Sequence, residues 1–167
     1  MPMPDEPLAF TLRALVPADR DWVRAWMVEH WGSERMAVHG QLFCMDEFPG
    51  LAAELDGQVV GLATYRLLGD ACELMSLDSR IERRGIGGAL VAAVRALAVQ
   101  AGCRRLRLTT TNDNLNALRF YQKRGFRLIG LHPGAVNAAR RTLKPEIPLL
   151  GENGISIRDE IELEEAF

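Results

Sequence analysis

The residues best equipped for chemistry lie together in residues 81–90, which read IERRGIGGAL. Arg83 and Arg84 are followed by Gly85, Ile86, Gly87 and Gly88, and an apolar run then continues to Ala101. Glycine has no β-carbon, so the backbone can turn tightly there and a ligand can come close. A helix that opens after such a turn presents unpaired N–H groups, and its dipole adds partial positive charge. With two guanidinium groups alongside, the stretch can make an anion site of the kind that holds a pyrophosphate. The same residues also suit a glycine-lined turn into a buried helix with solvated arginines. The stretch alone leaves both readings open.

The elements that must position this loop can be read in order. Residues 9–14 alternate, with Phe10, Leu12 and Ala14 on one face, which predicts a first strand. Pro17 and Asp19 open a helix over 18–31, with Trp22, Val23, Trp26 and Met27 as its apolar stripe and Gly32 as its stop. Residues 33–49 are polar and keep no clean period; they read as a binding loop, or as a plain connection with a short helix. Strands follow over 51–55 and 59–67, joined by Asp56-Gly57, a two-residue hairpin signal. A second tight turn at Gly69-Asp70 leads into a strand over 71–77. With a two-residue loop there, Leu68 pairs with Ala71 and Arg66 faces Glu73.

Residues 87–101 form a helix that is apolar nearly all round and therefore buried, and Gly102 ends it. Residues 105–111 make the next strand, so strand, buried helix and strand give a right-handed parallel crossover. The run TTTNDN supplies helix-start residues for a short helix over 114–124, stopped by Gly125, and 126–131 is another strand. A loop with one helical turn near 135–141 follows, and Ile155, Ile157, Ile161 and Leu163 mark a final strand region. The expected fold is a single α/β domain over 1–167, with a mixed, mostly antiparallel sheet, helices on both faces and a loose, proline-rich segment at 1–7.

Bulk properties narrow the function. The chain has 167 residues, 48% hydrophobic and 25% charged, with a net charge of −2. This ordinary balance argues against general binding to nucleic acid or to an anionic membrane. Cys44, Cys72 and Cys103 are odd in number and far apart, which suits neither a disulfide framework nor a metal site. His30 and His39 look isolated, and no metal spacing is present. The first residues lack the pattern of a signal peptide, and no apolar stretch reaches membrane-spanning length, so a cytoplasmic protein is expected.

Two segments together carry a family signature: LMSLDSRIERRGIGGAL and NLNALRFYQKRGF. They resemble the GNAT superfamily of N-acetyltransferases, whose phosphate loop reads Gln/Arg-x-x-Gly-x-Gly/Ala. That superfamily's following helix reads Asn-x-x-Ala-x-x-x-Tyr-x-x-x-Gly-Phe. The second pattern is complete here as Asn114, Ala117, Tyr121, Gly125 and Phe126. The first departs at Glu82, where the family has Gln or Arg, so the carboxylate must turn to solvent or meet an arginine.

The resemblance implies that acetyl-CoA, or another acyl-CoA, serves as co-substrate between diverging strands at 71–77 and 105–111. Its pyrophosphate would sit on the amides from Arg83 to Gly88, and its pantetheine arm would pair with backbone near Met75 and Leu77. Asn114 would bond it from the next helix, and Tyr121 would point at the sulfur as general acid.

Acyl transfer to an amine also needs a proton acceptor, because an amine with pKa ~10.4 is only about one part in 2,500 neutral at pH 7. Glu73 is the candidate base, raised by apolar neighbours; a cross-strand ion pair with Arg66 would lower it instead. Where relatives place a glutamate, this chain has Thr109, Thr110 and Thr111. Trp31, Glu34, Tyr65 and Arg66 are the expected substrate contacts, with a small amine the favoured acceptor.

Two other classes compete. A non-catalytic acyl-CoA-binding sensor or scaffold would keep the loop without a base or acid. A dinucleotide site fits less well, since the third glycine of its fingerprint falls at Leu90. The C-terminal run IRDEIELEEAF can form an exposed edge strand, which would favour a homodimer.

Overall fold

Two-residue turns and alternating side chains build the central meander. β4 (Gly50–Leu55), β5 (Gln58–Leu68) and β6 (Ala71–Ser79) run antiparallel in succession. Asp56 and Gly57 turn the first hairpin with φ of 51° and 76°, the left-handed pair that a tight hairpin needs. The second gives the expected register, Leu68 opposite Ala71 and Arg66 opposite Glu73. The computed structural model describes residues 7–167, so nearly all of the expected loose segment lies outside the described residues.

β1 (Thr11–Ala14) pairs with β4 and leads into α1 (Arg20–Trp31). Asp19 fixes this junction. Its carboxylate accepts from Arg13 Nη1 and Nη2 at 2.8 and 2.9 Å, from the Val16 amide at 2.7 Å and from Trp22 Nε1 at 2.6 Å. After β6 come α2 (Ile86–Gln100), β7 (Arg105–Thr111), α3 (Leu115–Lys123), β8 (Arg127–His132), α4 (Ala135–Thr142) and β9 (Glu160–Ala166). Among the described residues the main sheet has seven strands in the order β1-β4-β5-β6-β7-β9-β8, with β6 and β7 as its parallel pair. One core cluster joins the sheet to α2 through Leu90, Val94, Leu106 and Leu163. The other joins it to α1 through Val23, Trp26, Met27 and Leu62. The helices therefore cover both faces.

Two expectations need correction. Residues 33–49 are more regular than expected: β2 (Arg35–Val38) and β3 (Gln41–Cys44) form a separate hairpin around His39 and Gly40, and the short helical piece is a single turn at Met45–Glu47. The strands are too short for alternation to stand out. The C-terminal strand is no edge either. β9 pairs with β7 on one side and β8 on the other, so the ground for expecting pairing of two copies through it falls away.

The sheet splits where its pairings compete. β6 and β7 bond only from Ala71↔Arg105 to Leu74↔Leu108. Beyond that point β7 stays with β9 as far as Thr111↔Glu160, while β6 stays with β5 as far as Ser79. A bulge shifts the register at Thr64/Tyr65 and leaves Met75 as the extra residue on β6. Bulges bend and twist a strand, and this one lies at the parting.

Candidate functional site

The split opens into a cavity of about 660 Å³, bordered by both diverging strands, α1, α3 and α4. None of residues 81–90 borders that cavity; the segment is a strained turn between β6 and α2. Arg83 and Gly85 are left-handed, with φ of 58° and 82°. For a residue with a β-carbon that conformation costs about 1–2 kcal/mol. The first helical bond of α2 is Ala89 N–H to the Gly85 carbonyl at 2.9 Å, so the amides of 86–88 have no acceptor within the helix. Ile86, 1% exposed, anchors the turn in the core. Glu82 is exposed.

A further cation joins the loop, one that sequence reasoning missed. A β-carbon at Gly88 would come within 3.0 Å of Arg124 Nη2, so the guanidinium lies against the helix start. It is held there over the Phe120 ring at 3.6 Å. The signal was available: an arginine directly after the tyrosine-bearing helix turn, facing back to the glycine loop.

Tyr121 and Asn114 both border the cavity. Tyr121 is 7% exposed, and its hydroxyl has no hydrogen-bond partner among the described residues. Burial pushes its pKa well above the usual phenol value, so it keeps its proton. Asn114 caps α3, its Oδ1 accepting from the Ala117 amide at 3.1 Å, which leaves its amide group as the free donor. Met75 and Leu77 lie on the cavity, on the part of β6 that β7 leaves unpaired.

Glu73 is buried at 2% exposure, but not as a lone carboxyl in apolar surroundings. Arg66 Nε donates to Oε2 at 2.7 Å, and His39 Nε2 donates to Oε1 at 2.6 Å. An ionised carboxylate only accepts, which puts the proton on Nε2. Burial alone would raise the Glu73 pKa, yet the bonds from His39 and Arg66 outweigh it and hold the group below the usual value. The expected raised pKa is thus corrected to a lowered one. Its partner moves the other way: the bond to Glu73 outweighs burial and raises the His39 pKa.

His39, which looks isolated in the sequence, is the centre of a cluster. Its Nε2 is 3.4 Å from Thr109 Oγ1, and its Nδ1 is 3.7 Å from Glu162 Oε1.

The expected substrate contacts divide. Trp31 borders the cavity, and its Nε1 donates to Asp78 at 2.7 Å. Glu34, Tyr65 and Arg66 do not border it. Glu34 is exposed, Tyr65 packs on the α2 core, and Arg66 is held between Glu73 and the Phe43 ring. Among the described residues no three His, Cys, Asp or Glu group to hold a metal ion. No helix among them is long and apolar enough to cross a membrane.

The family model described as the acetyltransferase (GNAT) family matches residues 17–126. The uncharacterized protein YdhI of Bacillus subtilis (strain 168) is 50% identical over 137 residues, covering 81% of this chain and 85% of that protein. Among solved structures, an IAA acetyltransferase from Bacillus cereus ATCC 14579 is similar with TM-score 0.75 and 20% identity, over 95% of this chain and 100% of that one. A GNAT family acetyltransferase from Elizabethkingia anophelis with acetyl-CoA bound is similar with TM-score 0.65 and 19% identity, over 95% and 98% of the two chains. At these identities the structural likeness establishes the fold.

Proposed function

The chain belongs to the GNAT family of acetyltransferases, and from that premise we propose that it moves an acetyl group from acetyl-CoA to a primary amine by direct attack in a ternary complex. The observation that carries this reading is the Tyr121 hydroxyl, buried, protonated and unpartnered on a cavity that opens between parted parallel strands. The co-substrate supplies the acyl group as a thioester. The amides of 86–88, with Arg83, Arg84 and Arg124 nearby, suit its phosphates. The unpaired edge of β6 at Met75 and Leu77 suits an amide-bearing arm.

Tyr121 acts as a hydrogen-bond donor to the departing sulfur. A thiol of pKa about 8.5 is more acidic than this phenol, so the phenol stabilises the thiolate and need not surrender its proton fully. Glu73 works through His39 and not as the base itself. It fixes the imidazole with Nε2 protonated, leaving Nδ1 to take a proton from the amine. A small amine is the favoured acceptor, and a cytoplasmic setting is part of the same reading.

A thiol-release screen with acetyl-CoA over a panel of amines tests it. Turnover on at least one amine is expected. Tight CoA binding without thiol release on any of them would favour the non-catalytic binding module.

A further inference from the structure

Beyond Leu74, the last residue of β6 that pairs with β7, the strand carries one carboxylate, Asp78. It borders the cavity and is half-buried. The end of α1 builds its surroundings. Trp31 Nε1 donates to Asp78 Oδ2 at 2.7 Å. The Trp26 N–H is buried without a full hydrogen bond of its own, and it acts on the same carboxylate. His30 stacks on the Trp26 ring with centroids 4.2 Å apart, and its charge reaches Asp78 as well. The Asp78 charge in turn acts on Tyr121. His30, Trp31 and Tyr121 all border the cavity, so three of the four groups coupled to this carboxylate are the cavity's own lining.

A full cation is missing from that set. Among the described residues no lysine or arginine forms an ion pair with Asp78. Arg80, two residues on, is engaged elsewhere: its guanidinium lies on the Trp26 ring at 4.7 Å and pairs with Glu29 at 2.6 Å. Indole N–H groups satisfy hydrogen bonds but carry no charge. Burial pushes the Asp78 pKa up even against Trp31 and His30. An ammonium in the cavity supplies the missing charge. The Trp31 ring adds to its attraction. It is held at Nε1 and stays 40% exposed, and an indole face draws cations more strongly than other aromatic rings.

The other acids bordering the cavity are committed or fully hydrated. Glu73 is held by Arg66 and His39, and Asp113 accepts from Thr111 Oγ1. The charge of Glu160 acts on His39, and that of Glu146 acts on Lys144. Glu152 is exposed. At neutral pH an alkylamine is almost wholly protonated, so the charged form is the one that a cavity must first capture.

We infer that Asp78 and the Trp31 ring seat the ammonium group of the acceptor, so that the acceptors are primary alkylamines taken up in their charged form before the proton is removed; this rests on the acetyltransferase reading above.

The test is calorimetric titration of butylamine, with butanol as its uncharged match, into the full-length protein saturated with CoA, which carries no acyl group to transfer. Butylamine is expected to bind at least about tenfold more tightly than the alcohol. Asp78→Asn should bring it to the level of the alcohol, and Trp31→Leu should lose part of the preference, with circular dichroism and CoA affinity as checks of folding. Equal binding of amine and alcohol by the unaltered protein overturns the inference without recourse to any variant. So does a preference that survives Asp78→Asn, or a folded Asp78→Asn variant that no longer binds CoA, which would assign the carboxylate to the co-substrate. Thiol release is read separately: Asp78-dependent amine binding with no release from acetyl-CoA sinks the transferase reading alone, whereas turnover by Asp78→Asn with an unchanged KM for butylamine sinks the ammonium seat alone.

Discussion

Tyr121 and His39 divide the proposed chemistry between a donor that never loses its proton and an acceptor that must. Tyr121→Phe removes only the hydroxyl and leaves the ring in its edge-on contacts with Phe120 and Phe126. We expect kcat to fall by about 10²-fold with KM for acetyl-CoA little changed, read by thiol release. An unchanged kcat would remove the donor role. For His39 the sign follows from its raised pKa. The neutral imidazole is the active form, so the rate should climb with pH through a midpoint above the ordinary value of about 6.5. His39→Gln should abolish that limb, and Glu73→Gln should move it down by withdrawing the carboxylate that stabilises the imidazolium. A limb unmoved by either change would exclude the cluster from proton transfer. Tyr121 was legible because its motif is local. His39 was not, because its partner Glu73 is 34 residues away and meets it only when the β2–β3 hairpin folds over β6.

At the scale of elements, the start of α2 is the piece most exposed to a single change. Gly85 holds φ of 82° at the helix cap, and a β-carbon there would meet no atom within 4 Å. Gly85→Ala therefore acts through backbone strain alone. It should cost about 1–2 kcal/mol in chemical denaturation. It should also raise KM for acetyl-CoA more than it lowers kcat, since the strain falls on the amides proposed to hold the phosphates. A variant with native KM would mean that the turn does not serve the co-substrate. Elements bounded by strong local signals, such as the Asp56-Gly57 hairpin and the apolar run of α2, could be read directly. The β2–β3 hairpin could not. Its strands have four residues each, and its His39-Gly40 turn places a non-glycine residue in the left-handed region at φ 53°.

Across the whole molecule, strand order is what the linear chain conceals. The last strand in sequence lies inside the sheet, because Leu163 is needed in the core beneath α2 and both neighbours have bonding edges to fill. Periodicity locates a strand but not its neighbours, which is why β9 reads as an edge from sequence. The outer strand on that side is β8, with Leu128, Ile129 and Leu131 exposed. The parting of β6 from β7 is likewise a product of competing long-range pairings. It leaves the 75–79 stretch of β6 without β7 as a neighbour, and on the proposed function a ligand fills that place, which would couple binding to folding. CoA at about a hundred times its Kd should add about 2.7 kcal/mol to unfolding stability. It should also slow hydrogen exchange at amides in 75–79. Stabilisation without that local protection would place the ligand elsewhere.

The interior position of β9 also has a consequence in time. A ribosome delivers residues 160–166 after both β7 and β8, yet they form the seam between those two strands. Until they emerge, both flanking strands present open edges, and the acidic residues that face Arg105, His39 and His132 are absent. The nascent protein can build its meander and α2 early, but this half of the sheet must wait for β9. That interval is when unpaired strands are most open to wrong partners.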